Sequence, residues 1–198
     1  LSEHSGFIGY VHFRLKTWDQ FNANLLDHER FGQYLMASAG AKKDFSTGNS
    51  DDLQKINSII RHIKAEYNWN SEYAQLASQD FRSFMKTRSG SSAEMNLLLV
   101  NLLRQAGFES DPVLIRTSNL GLPEKMFPVK NQFNHVIATA VINGKTFLFD
   151  ITSETSELNK LNKADIGTTG WVVRKSNPGW IETFEVEKEN TGIPVFRL

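Results

Sequence analysis

Hydrophobic positions along the chain change period several times, and each change marks an element. Phe7 to Leu15 alternates loosely, with Ile8, Tyr10 and His12 set against Phe7, Val11, Phe13 and Leu15, which predicts a strand. Thr17-Trp18-Asp19-Gln20 has the Thr-x-x-Gln form of a capping box, and Phe21, Leu25, Leu26, Phe31, Tyr34 and Leu35 follow at helical spacing. One helix is expected over 18–38. A solvated loop from Gly40 to Asn49 leads to Ser50-Asp51-Asp52, and Leu53, Ile56, Ile60, Ile63 and Tyr67 then step by three and four residues, predicting a second amphipathic helix. A short helix is expected through Phe81, Phe84 and Met85.

The most apolar run, Leu97 to Ala106, follows Gly90-Ser91-Ser92-Ala93-Glu94-Met95-Asn96. Met95, Leu98, Leu99, Leu102, Leu103 and Ala106 share a helical face, while Leu97 and Val100 make the opposite side apolar too. A helix greasy on most sides is a buried one, and Gly107 supplies its stop. Pro112 to Arg116 reads as a compact strand, and the loop from Thr117 to Gln132 is long enough to suggest a functional role. Strands are expected over 135–142 and 145–152, joined by Asn143-Gly144 in a type I′ turn. Further strands are expected around Trp171-Val172-Val173 and from Trp180 to Val186.

Composition narrows the function. At 198 residues with 40% hydrophobic and 22% charged positions, the chain can bury a full core. Lys and Arg number 22, as do Asp and Glu, so no net charge draws the chain to nucleic acid or an anionic membrane. Both partners are discounted. The absence of cysteine removes disulfides, thiolate metal sites and thiol nucleophiles together. With Leu1 first, no signal-peptide pattern and no apolar run of membrane-spanning length, the sequence is expected to be a piece of a longer protein. His4, His12, His28 and His62 show no metal-ligand spacing and no Gly-rich phosphate loop is present, so no metal or cofactor is expected.

The hairpin register supplies candidate chemistry. A two-residue turn at Asn143-Gly144 pairs Ile142 with Lys145, and continued outward it sets Ile137 against Asp150 and His135 against Thr152. His135 and Asp150 become diagonal neighbours on one face, with Cβ atoms roughly 7–8 Å apart. A carboxylate there fixes the imidazole tautomer and stabilises imidazolium, either as a structural pair or as part of a catalytic triad. Ser92 stands at the predicted helix start, where backbone N–H groups favour an N-cap, an anion or an activated nucleophile. Trp69 and Asn70 either line a cleft or pack.

A Gly-x-nucleophile loop opening an apolar helix that ends in Leu-Leu-Arg-Gln-Ala-Gly, then Phe-Asn-His-Val-Ile, then Phe-Leu-Phe-Asp-Ile-Thr, resembles the transglutaminase-like superfamily, whose core is papain-like. The resemblance is to bacterial members in which this core follows a β-sandwich domain. It implies an α+β fold with helices packed on an antiparallel sheet. It also implies a terminal strand at 1–16 from a preceding domain, the transglutaminase-like domain over 17–185 and an extension at 186–198. Catalytic Cys, His and Asp of the family fall on Ser92, His135 and Asp150. A serine hydroxyl, unlike a thiol, is essentially never ionised near neutral pH and depends wholly on a placed base. Ser92 is therefore read as an N-cap or partner-binding residue in a degenerate site, with a Ser92-His135-Asp150 amidase or esterase, and a lost or engineered Cys, as alternatives. The resemblance implies an extracytoplasmic setting in the bacterial envelope and a peptide or glycan-linked protein as partner.

Overall fold

A computed structural model of the chain describes residues 17–37, 51–153 and 161–183. The strand expected over 7–15, the loop at 40–49 and the extension from 186 lie outside them. Five α-helices and seven strands are ordered among the described residues. Helix α1 (Trp18–Asp27) begins as its sequence demands, with the Thr17 side chain accepting from Gln20 N. The single helix expected over 18–38 is two, however. The chain turns at His28 and α2 (Gly32–Met36) starts afresh. At Gly32 the backbone passes so close to Leu26 O that a Cβ would sit 1.7 Å from it, a crossing that only glycine permits.

Helix α3 (Asp52–Glu66) buries Ile56, Ile59, Ile60 and Ile63, and its N-cap residue is Asp51. A parallel pair, β1 (Asn68–Trp69) with β2 (Ser89–Gly90), brackets α4 (Phe81–Thr87), which Asp80 caps by accepting from Ser83 N. Then comes α5 (Ser92–Gln105), with Ser92 to Leu103 buried without interruption. Its all-round apolar surface therefore serves burial from every side.

Strands β3 (Pro112–Ile115), β4 (His135–Ile142), β5 (Lys145–Phe149), β6 (Thr168–Val172) and β7 (Gly179–Thr183) form an antiparallel sheet in the order β5-β4-β3-β6-β7. The hairpin register is as derived, from Ile142 opposite Lys145 to Ala138 opposite Phe149, with positive φ at Asn143 (51°) and Gly144 (74°). Strand β5 stops at Phe149, three residues short of expectation, and β6 begins three residues earlier than expected. Alternation divides the sheet. Leu114, Val136, Ala138, Ala140, Phe147 and Phe149 join the helices in the main core, while Val113, Ile115, Ile137, Leu148, Val172 and Ile181 form a second cluster. Trp18 pins α1 to the sheet, stacked 4.6 Å from Trp171 and edge-on 4.8 Å from Trp180. The architecture is α+β, helices on an antiparallel sheet. None of the helices among the described residues is long and apolar enough to cross a membrane.

Candidate active site

Two serines open α5, and they divide the work. Ser91 is the N-cap: its Oγ accepts from Ala93 N at 3.2 Å, its N donates to Glu94 Oε2 at 3.1 Å, and its hydroxyl donates to the same oxygen. The cap expected at Ser92 is thus one residue earlier, because Ser91 is the extended residue (φ −73°, ψ 178°) whose side chain can turn back on the helix. Ser92 is the first helical residue and is wholly buried. Its N–H donates to Glu72 O at 2.9 Å, and its Oγ accepts from Ala74 N at 3.0 Å.

Those partners belong to an irregular segment, residues 70–79, that straps the start of α5. Trp69 Nε1 donates to the same Glu72 carbonyl at 3.0 Å. Ser78 N, Ser78 Oγ and Gln79 N donate to Glu94 Oε1 at 2.6, 2.6 and 3.2 Å. Glu94 is a buried anion as a result. Burial alone would raise its pKa, but these hydrogen bonds win and hold it below the ordinary glutamate value. Trp69, left between a cleft role and a packing role by its sequence, packs against the helical core and anchors the strap.

Across from the helix start, β4 begins at His135, which is opposite Ile115 in the sheet. Asn134 sets that start: its N donates to Ile115 O, and its side-chain amide exchanges hydrogen bonds with Thr117. His135 is fully buried and Tyr73 of the strap lies edge-on to its ring at 4.6 Å. The ring's Nε2 lies 3.4 Å from Asp150 Oδ2, so the diagonal pair read from the hairpin register meets. At that distance it is a near contact rather than a formed hydrogen bond. Nδ1 has no hydrogen-bond partner.

Asp150 follows β5 directly and is held on every side. Oδ1 accepts from Asn96 Nδ2 at 2.9 Å and Thr152 N at 3.0 Å; Oδ2 accepts from Thr152 Oγ1 and Asn162 Nδ2, both at 2.6 Å. Burial opposes its ionisation, yet the His135 charge and these donors outweigh burial and keep the carboxyl well below the usual aspartate range. Asn96 also accepts from Ile151 N at 3.1 Å, and it stands one helical turn after Ser92. It is the joint by which the start of α5 and the His135–Asp150 pair share one site. Ser92 Oγ itself is bonded to Ala74 and not to His135.

Sequence reasoning missed Asn96 and Asp165, along with Tyr73 and Asn162 that pack on or bond to the pair. Asn96 was detectable, since a polar side chain at i+4 from Ser92 in an apolar helix needs a buried partner. Asp165 was not, because it reaches the site from a 3₁₀ turn (Lys163–Asp165) whose place depends on tertiary structure. Its Oδ1 lies 3.6 Å from His135 Nε2. Burial first, and the neighbouring Asp150 charge second, push its pKa up to about 7, against the opposing pull of His135.

His135, Asp150 and Asp165 offer ligand atoms that all lie within 4.8 Å of one another, a spacing a metal ion could bridge. Each oxygen of Asp150 already accepts two hydrogen bonds, and His135 Nδ1 lacks the outer partner that orients a metal-bound imidazole. The trio fits a buried proton-sharing cluster better than a cation site.

Residues 40–150, more than half of the chain, match the Transglutaminase-like superfamily. No curated protein matches the chain. Among solved structures it is similar to a proposed protease from Parabacteroides distasonis ATCC 8503, at 18% identity and a TM-score of 0.47 over 68% of this chain and 25% of that one. It is also similar to a proposed cysteine protease from Cytophaga hutchinsonii, at 20% identity and a TM-score of 0.44 over 70% of this chain and 46% of that one. The chain spans less than half the length of either.

Proposed function

Because this chain belongs to the transglutaminase-like superfamily, we propose that it is a non-catalytic transglutaminase-like domain in which Ser92 occupies the position of the family's nucleophilic cysteine. Lying in a cysteine-free chain, the site has no thiol to ionise. The observation that carries the reading is the state of Ser92. Its hydroxyl accepts from the Ala74 amide, its own amide is occupied by the Glu72 carbonyl, and both it and His135 are sealed from solvent beneath the strap. A serine nucleophile needs its hydroxyl on a base and its helix-end amide free for the developing oxyanion. Neither condition is met.

The role that remains is binding or scaffolding, with a peptide or glycan-linked protein as partner, outside the cytoplasm in the bacterial envelope. Partner and setting rest on the resemblance of the Gly90–Gly107, Phe133–Ile137 and Phe147–Thr152 blocks to bacterial envelope relatives. Fractionation of cells making the full natural protein tests the setting, and recovery with the cytosol would overturn it.

One observation favours a second reading, a Ser92-dependent amidase or esterase. His135 and Asp150 keep the close approach of a base and its orienting carboxylate, 3.4 Å apart. In that reading the strap would open, His135 Nδ1 would take the Ser92 proton, and the Ser92 and Trp69 N–H groups would receive the oxyanion. Amide or ester turnover that Ser92→Ala abolishes would establish this reading and remove the first.

A further inference from the structure

The Nε2 edge of His135 is served twice, and only one of the two carboxylates is spoken for. Asp150 accepts four hydrogen bonds from Asn96, Thr152 and Asn162. Asp165 Oδ2 accepts from Asn162 N at 3.2 Å, whereas its Oδ1 is buried without a hydrogen-bond partner and aims at Nε2 from 3.6 Å. An unpartnered carboxylate oxygen in a sealed interior is costly unless it shares a proton or faces a positive charge. We propose that Asp165 is a positioning residue for His135: with Asp150 it brackets the Nε2 edge of the ring, requires the proton there, and so leaves Nδ1 as the nitrogen able to accept a proton.

The proton balance is simple. Nε2–H faces one oxygen each of Asp150 and Asp165, Nδ1 keeps its lone pair, and a proton arriving at Nδ1 would create an imidazolium already flanked by both groups. One mobile proton resides on the Asp165 carboxyl at Oδ2, leaving Oδ1 to face Nε2–H, while Asp150 stays ionised, because Asp150 accepts four hydrogen bonds and Asp165 only the one from Asn162 N. Other titratable groups that act on this trio are Tyr73 of the strap, whose phenol is raised by burial and then by the Asp165 and Asp150 charges, and Lys64 of α3. Lys64 Nζ donates to Ser153 O at 2.5 Å; burial lowers its pKa while Asp150 opposes that. The inference is independent of whether Ser92 turns over a substrate.

Labelling the full chain with [γ-13C]aspartate and 15N-histidine and following both by NMR from pH 4 to 9 tests it. One aspartate carboxyl, assigned by its loss in Asp165→Asn, should titrate near neutrality while the exposed aspartates titrate in the acid range. The His135 nitrogens should report Nε2–H and should shift as that carboxyl loses its proton. In Asp150→Asn the Asp165 midpoint should fall by a unit or more, a tenfold or larger drop in proton affinity. Asp165 titrating with the exposed aspartates, or ionising without moving the His135 signals, would overturn the proposal, and so would a His135 proton found on Nδ1. Because the His135 tautomer and its response to pH are read from the unmodified protein, misfolding of a variant cannot rescue the idea. Added Zn2+ displacing the same signals stoichiometrically would assign the trio to a cation and refute it.

Discussion

Replacing Glu94 should destabilise this protein strongly. Its Oε1 accepts from Ser78 N, Ser78 Oγ and Gln79 N, and its Oε2 from Ser91 N and Ser91 Oγ. In Glu94→Ala the hydroxyls can rotate to other acceptors, but three backbone N–H groups cannot. Ser91 is fully buried, so its amide carries the full unsatisfied cost of about 1–3 kcal/mol, while Ser78 and Gln79 regain part of theirs from water. Bonds to an anion are roughly twice as strong as neutral ones. The expected loss is about 3–5 kcal/mol, a large share of a domain's ordinary 5–15 kcal/mol. Urea unfolding followed by circular dichroism reads it directly. Glu94→Gln retains one acceptor but turns an NH2 toward donors, so it should lose about 2–3 kcal/mol. Since Glu94 is held below the ordinary glutamate value of 4.5, its contribution is complete above that pH and disappears as pH falls through the lowered folded value. The wild type should therefore weaken below pH 4.5 more steeply than Glu94→Ala. A loss under about 1 kcal/mol, or parallel acid profiles, would refute the reasoning.

Three other outcomes follow. Gly170→Ala places a Cβ 2.4 Å from Val113 Cγ1 and 2.8 Å from Ile115 Cγ2, inside the sheet, and should cost about 1–3 kcal/mol in the same urea assay. Ser92→Ala removes the acceptor for Ala74 N and should cost about 1–2 kcal/mol, with proteolysis near residues 70–79 accelerated; unchanged stability would deny the strap its anchor. Asp165 binds its proton more tightly folded, at about 7, than unfolded, at 3.8, so its contribution to stability falls as pH rises between those values. Asp165→Asn should flatten that decline and, above pH 7, be more stable than the wild type by on the order of 1 kcal/mol, measured by thermal unfolding across pH.

The elements that local physics governs were legible in the sequence. The I′ turn at Asn143-Gly144 fixed the register, and the register alone brought His135 toward Asp150. The apolar wrap of α5 announced a buried helix. What escaped was set by distant chain. The break between α1 and α2 depends on Gly32 passing Leu26, which periodicity does not encode. Both Ser91 and Ser92 suit a cap, and only the backbone angles decide between them. Asp165 sits in a polar stretch with no period, and the strap's grip on Ser92 uses backbone groups that no side-chain pattern reveals.

The central claim, a nucleophile position occupied by a serine that does not react, is tested most directly by fluorophosphonate labelling of the wild-type chain beside Ser92→Cys. The account predicts no labelling of the wild type from acid to pH 9, and appearance of a thiol at residue 92 that alkylating reagents capture in the variant. Stoichiometric labelling of the wild type, lost in Ser92→Ala, would contradict it.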